Sequence, residues 1–357
     1  MTKIASKIVP ALTFGAILLT PVLVSAVTVP NNIFNWWQGP QAVHENCAIN
    51  NGQAVCQQSS ALDQVTVTSN YAQTKYPIVL AHGLFGFGQI GPINYWHGIP
   101  QDLGSNGANV FVTTVSSGNS DAVRGEQLLK QVIAIRALTG SDKVNLIGHS
   151  QGVQSVRYVA GVRPDLVASV TGIAGSNTGS PVADAAQLVL INPLKATGLD
   201  SIVAGAVNFF LSLEGVASGA AADAPQDIVA ANYGLTTKGA AEFNVLFPQA
   251  IPTTPCGPSE TQANGVNYYS WGGTGLMTNA FDSTSYGMVA ASLLQNGPSD
   301  GLVPKCSSHL GQVIRDDYPQ NHLDEVNQVL GMVGSGPGAD PIPLYRQQAN
   351  RLKVAGF

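Results

Sequence analysis

The feature that most constrains this chain is the segment Gly148-His149-Ser150-Gln151-Gly152. Before it, Lys143-Val144-Asn145-Leu146-Ile147 reads as a short buried strand, and residues 153–162 after it read as a helix stopped by Pro164. A strand that turns into a helix across so few residues lifts the central side chain above the sheet in a strained conformation. Only glycine two positions to either side lets the strand and helix backbones come so close. Ser150 is therefore a candidate nucleophile, and the turn itself calls for alternating strands and helices.

The flanking sequence supplies that alternation. Lys75-Tyr76-Pro77-Ile78-Val79-Leu80-Ala81 is a β-branched run ended by His82-Gly83, and residues 109–115 form another. Between them and the turn, Val123, Leu128, Leu129, Val132, Ile133, Ile135 and Leu138 recur at helical spacing, with Gly140 as the stop. Residues 166–173 read as a further strand, and strand signals return at residues 267–271 and around Leu302. Strand–helix–strand repetition predicts an α/β fold, a mostly parallel sheet flanked by helices. Residues 27–70, rich in Asn, Gln and Ser, read as an irregular N-terminal extension, and residues 71–357 as one domain.

Composition narrows the partners. With 16 Lys+Arg against 21 Asp+Glu and a net charge of −5, the chain has no basic footprint for nucleic acid or anionic lipid. Lys3 and Lys7, an apolar run over residues 8–24 and the small residues Val24-Ser25-Ala26 predict a secretory signal peptide at 1–26. Pro10 and Pro21 within the run argue against a membrane anchor. Four cysteines in an exported chain predict two disulfides. Three pairings are open. The turn-prone Asn50-Asn51-Gly52 favours Cys47 with Cys56, which leaves Cys256 with Cys306.

A serine alcohol needs a base to take its proton and a carboxylate to orient that base. Where the nucleophile sits on such a turn, the chain order is serine, acid, histidine. His44, His82 and His97 precede Ser150 and His149 adjoins it, so His309 and His322 remain. Asp300, in Ser299-Asp300-Gly301-Leu302-Val303, stands beside a strand signal, with Asp282, Asp316 and Asp317 also open. The amides of Gln151 and Leu84 are the candidate oxyanion donors. The side chain of His82 reads as structural. A competing Gly-rich signal, Gly86-Phe87-Gly88-Gln89-Ile90-Gly91, matches the dinucleotide pattern, but no helix opens there and no acidic residue follows at the required distance.

The runs 75–83, 123–129 (Val-Arg-Gly-Glu-Gln-Leu-Leu), 144–150 and Asn321-His322-Leu323-Asp324-Glu325-Val326-Asn327-Gln328 closely resemble the secreted triacylglycerol lipases of Pseudomonas and Burkholderia type. The resemblance implies an α/β-hydrolase fold with a helical lid and a triad of Ser150, Asp300 and His322. It implies oxyanion amides at Leu84 and Gln151, and a disulfide matching Cys256 with Cys306. It also implies one structural Ca2+ held by Asp282 and Asp324 with the carbonyls of Gln328 and Met332, an acylglycerol substrate met at a lipid–water interface, and a periplasmic foldase chaperone before export from a Gram-negative cell. Calcium takes oxygen ligands, so the donor set suits it.

Residues 184–233 interrupt the sheet pattern with Leu188, Leu190, Ile191, Leu194, Val203, Phe209, Phe210, Leu211 and Leu213. On pattern alone they are packed helices or a lid, and the resemblance favours the lid. Three departures from the family pattern stand out. Val153 replaces a second glycine after the turn, the 174–180 loop lacks a histidine, and residues 27–70 have no counterpart. An esterase of short soluble esters, or a silent lipid-binding relative, are the competing readings.

Overall fold

The computed structural model describes residues 43–50, 53–56, 65–86, 89–90, 93–192, 205 and 226–357. Its main sheet is built from β1 (Val43–Asn50), β2 (Gln53–Cys56), β3 (Ile78–Ala81), β6 (Val110–Thr113), β7 (Val144–His149), β8 (Val167–Ile173), β9 (Gln262–Ala263), β10 (Val266–Gly273) and β11 (Gln312–Tyr318). A separate two-stranded piece pairs β4 (Gln89–Ile90) with β5 (Ile93–Asn94). The path across the main sheet is β11-β10-β8-β7-β3-β6-β1-β2. Neighbours from β11 to β1 are parallel, whereas β2 and β9 form antiparallel hairpins at β1 and β10. Strands β3, β6, β7 and β8 are buried along their whole length, which is why they read as continuous apolar runs.

The helices are α1 (Ile99–Ser105), α2 (Asp121–Thr139), α3 (Gly152–Val162), α4 (Pro181–Ile191), α5 (Ile228–Leu235), α6 (Thr237–Leu246), α7 (Ser283–Ser292) and α8 (Ile342–Val354). Helix α2 starts where Ser120 accepts the Val123 amide and stops at Gly140, whose φ of 67° is the left-handed conformation that ends a helix cheaply only at glycine. It is the crossover from β6 to β7, and it carries the chain past β3 to the opposite side. The order of strands therefore reverses between β3 and β7. The loops leaving those two strands open a crevice at their carboxyl ends, the usual ligand position in open α/β sheets.

Two expectations need correction. The stretch around Leu302 is not a strand: it makes only a single bridge, Ser299 with Pro304, because the Asp300 carboxylate takes the amides that a ladder would use. Nor is the whole of residues 27–70 irregular. β1 adds to β6 in parallel and turns back through β2, in register so that Cys47 faces Cys56 across the hairpin and bonds to it. The segments VHENCAIN and QAVC mix polar with apolar residues and form no continuous apolar run, which is why the composition concealed them. Residues 1–42, which include the signal segment, lie outside the described residues, as do residues 193–204 and 206–225 in the middle of the candidate lid. What is described of that region is α4, running to Ile191, and α5.

Candidate active site

At the end of β7 Ser150 has φ 55°, a left-handed conformation that serine rarely adopts. The glycines around it are required sterically. A Cβ on Gly148 would meet the Gly152 carbonyl oxygen at 2.5 Å, and one on Gly152 would meet the Ala81 oxygen at 2.1 Å. The first departure from the family pattern, Val153, fits the same packing. Buried Val153 faces Gly172 and Gly175, where a Cβ would lie 3.1 and 2.8 Å from its methyls. The isopropyl group occupies the space that those glycines leave.

Ser150 lines a cavity of about 270 Å³ together with His149, His322, Leu84 and Tyr95, and its remaining walls are mostly apolar, among them Val182, Leu235, Leu302, Val303 and Val329. The structure brings His322 and Asp300 together. The Nδ1–H of His322 donates to Asp300 Oδ2 at 2.8 Å, and Oδ1 of the same carboxylate accepts the Leu302 and Val303 amides at 2.9 and 2.7 Å. Both side chains are nearly excluded from solvent. The alternatives fall elsewhere. His309 pairs with Asp316, which also binds Lys305, and Asp317 is exposed beside Arg315. Asp282 caps α7.

The oxyanion candidates lie on the two loops that leave β3 and β7, and Leu84 lines the cavity. Leu84 follows β3, Gln151 caps α3, and among the described residues neither amide donates to a protein acceptor. A Cβ on Gly83 would lie 2.6 Å from Ser150 Cβ, so the β3 loop presses directly on the turn. His82 is structural, as expected. Its Nε2 accepts the Val115 amide and Nδ1 donates to the Gly83 carbonyl, while burial and the Arg124 charge push its pKa down to about 3. Sequence reasoning missed Arg124 itself. Fully buried, its guanidinium donates to the carbonyls of His82 and Gly83 on one side and Ser116 and Ser117 on the other. That cage holds the loop that carries Leu84. Arg124 lies within one of the runs that carried the family resemblance, which was the available signal.

Two further buried groups were also missed. His149 stacks on His322 with ring centroids 4.6 Å apart, and burial, then the neighbouring His322, hold its pKa well below the usual value, so it is neutral. Glu325 accepts the Gly273 amide at 2.5 Å, and its other oxygen lies 4.0 Å from His322 Nδ1 without a hydrogen-bond partner. Burial, followed by the Asp300 charge, pushes its carboxyl well above the usual range.

The proposed metal ligands form a compact pair of carboxylates. Asp282 and Asp324 are both buried. Burial raises Asp324 to about 6; hydrogen bonds from Thr278 and Asn321 oppose the rise and the Asp282 charge adds to it. Oδ1 of Asp324 is buried without a partner. Two like charges out of water with an orphaned oxygen suit a hard dication with oxygen ligands. The second disulfide joins Cys256 to Cys306, as the sequence favoured.

The α/β hydrolase fold model matches residues 76–310, so the chain belongs to the α/β-hydrolase family. Among curated relatives, a triacylglycerol lipase of Vibrio cholerae is 50% identical over 80% of this chain and 90% of its own. One of Pseudomonas fragi is 41% identical over 80% of this chain and 98% of its own, and one of Burkholderia plantarii 39% identical over 83% and 91%. Among solved structures, the mature form of a Bacillus licheniformis lipase superposes with a TM-score of 0.54 at 16% identity, over 80% of this chain and 95% of that one.

Proposed function

We propose that this chain is a secreted triacylglycerol lipase that hydrolyses acylglycerol esters through an acyl-enzyme at Ser150. The observation that carries the reading is a buried His322–Asp300 pair and a strained Ser150 on one apolar cavity. With Nδ1 committed to Asp300, Nε2 is the ring nitrogen left to accept the Ser150 proton as Oγ attacks the ester carbonyl. His322 then passes that proton to the leaving alcohol. Asp300 fixes the tautomer and stabilises the imidazolium, held in place by two backbone amides. The Leu84 and Gln151 amides receive the charge that develops on the carbonyl oxygen, each such donor contributing about 3 kcal/mol. Water repeats the cycle on the acyl-enzyme. The apolar walls suit an acyl chain rather than a polar acid.

A Ca2+ ion held by Asp282, Asp324 and the carbonyls of Gln328 and Met332 would neutralise two buried carboxylates and tie the start of α7 to the histidine loop. The apolar residues between 184 and 233 act as the lid in this reading. A signal peptide at 1–26 and a foldase chaperone belong to the export route, and two disulfides support an oxidising compartment. Among the described residues no helix is long and apolar enough to cross a membrane.

Titration with a serine-directed phosphonate tests the chemistry: one equivalent should label wild type at Ser150, and Ser150→Ala should lower turnover about 10⁶-fold. Absence of labelling would leave only a lipid-binding role. Activity that fails to rise when tributyrin passes its solubility limit would favour a soluble-ester esterase. Full activity from protein refolded without a foldase would remove that partner.

A further inference from the structure

The three loops that carry the proposed chemistry are joined by a buried chain of hydrogen bonds whose polarity is forced from end to end. The Gly83 amide donates to Tyr95 Oη at 3.1 Å. The hydroxyl's other partner is His149 Nδ1, 2.6 Å away. The His322 backbone carbonyl, 3.0 Å from His149 Nε2, can only accept, so Nε2 carries the ring proton and Nδ1 of the neutral ring accepts the Tyr95 hydroxyl proton. Gly83 precedes the oxyanion candidate Leu84, His149 precedes Ser150, and His322 is the proposed base. All of these groups are buried: Tyr95 is 3%, His149 1% and His322 4% exposed. Both rings are pinned sideways as well. Trp96 packs edge-on against Tyr95 at 5.2 Å and against His149 at 6.3 Å.

We infer that Tyr95 and His149 are positioning residues, a neutral relay that fixes the oxyanion loop, the nucleophile turn and the histidine loop at one mutual spacing. The inference rests on the triad proposed above. It gives Tyr95 a role distinct from lining the cavity, because its hydroxyl is already engaged on both sides. It also explains why a histidine precedes the serine: one planar ring offers an acceptor and a donor across the span between the two loops. Asparagine reproduces only the Nδ1 position and glutamine only the Nε2 position.

A double-mutant cycle with Tyr95→Phe and His149→Gln tests this, with His149→Asn as a second probe and thermal unfolding run on each variant. Tyr95→Phe should lower kcat on a soluble p-nitrophenyl ester about tenfold to a hundredfold with KM nearly unchanged. Phosphonate labelling of Ser150 should slow in parallel. Because both residues serve one chain, the double variant should lose little more than the worse single one. His149→Gln, which keeps the donor to the His322 carbonyl, should retain more activity than His149→Asn. The relay is overturned if the two losses multiply, if Tyr95→Phe raises KM and leaves kcat intact, or if Asn serves as well as Gln. Failure of wild type to react with the phosphonate would instead count against the serine chemistry itself.

Discussion

The nucleophile turn and the histidine loop meet in one cavity, but they are held by different forces. At the turn the backbone has no freedom: Gly148 and Gly152 touch neighbouring carbonyls so closely that no Cβ fits, and Ser150 is strained by the same approach. The histidine loop is held by polar side chains out of water. Asp300 gathers two amides and an imidazole, Asn321 Oδ1 accepts the Leu323 and Asp324 amides, and Asp324 Oδ2 accepts the Asn321 amide. Steric fixation is indifferent to solution conditions, whereas a polar network responds to protonation and to ions.

The contrast can be broken most sharply at Gly152. Gly152→Ala should yield no folded protein, since its methyl would drive into the Ala81 carbonyl and the cost exceeds about 4 kcal/mol. A soluble, active Gly152→Ala would end the steric account. On the other side, Asp300→Asn should fold normally yet lose about 10⁴-fold in kcat through the wrong histidine tautomer. Thermal unfolding and turnover, measured on the same sample, separate the two behaviours.

Cross-links should follow loop length. Replacing Cys256 and Cys306 by serine opens a bridge of sequence separation 50 and should cost about 4 kcal/mol in urea unfolding. Replacing Cys47 and Cys56, at separation 9, should cost about 2.5 kcal/mol and act on the edge hairpin alone. Equal losses would contradict the chain-entropy basis of that ranking.

The histidine loop alone should sense calcium and pH together. Burial raises the folded pKa of Asp324 to about 6 from the ordinary 3.8, so in metal-free protein the proton stabilises the fold. The Asp324 contribution to stability is therefore fully present below about pH 4 and is lost as pH rises through about 6, by on the order of 3 kcal/mol, while buried neutral His82 and His149 oppose it with and without metal alike. A dication relieves the same repulsion, so the gap in Tm between Ca2+ and EGTA should widen across that window. Asp121, also raised to about 6 by burial, shifts both curves alike and cancels in the difference. A gap independent of pH would place the metal elsewhere.

How much of this was legible beforehand varies by region for the same reason. Helix α2, with its Ser120 and Gly140 ends, and strands β3, β6, β7 and β8 could be read from periodicity, because each buries one continuous apolar surface. Strand β11 and the β1–β2 hairpin could not, since at the two ends of the sheet these strands carry polar residues and form no continuous apolar run. The turn at Ser150 was readable because its sterics demand glycines at fixed spacing. Choosing His322 over His309, and Asp300 over three other aspartates, required the family resemblance, as spacing along the chain is silent about which polar groups meet.

By itself the sequence determined the alternation of strands and helices, the strained serine and the favoured disulfide pairs, all of which depend on neighbours a few residues away or on a single steric rule. Tertiary structure alone decided that Arg124 cages the oxyanion loop, that Tyr95 and His149 bridge three loops, and that Asp282 faces Asp324. Those pairings join residues far apart in the chain. Only burial, by removing water as the competing partner, makes such polar contacts specific enough to set the geometry.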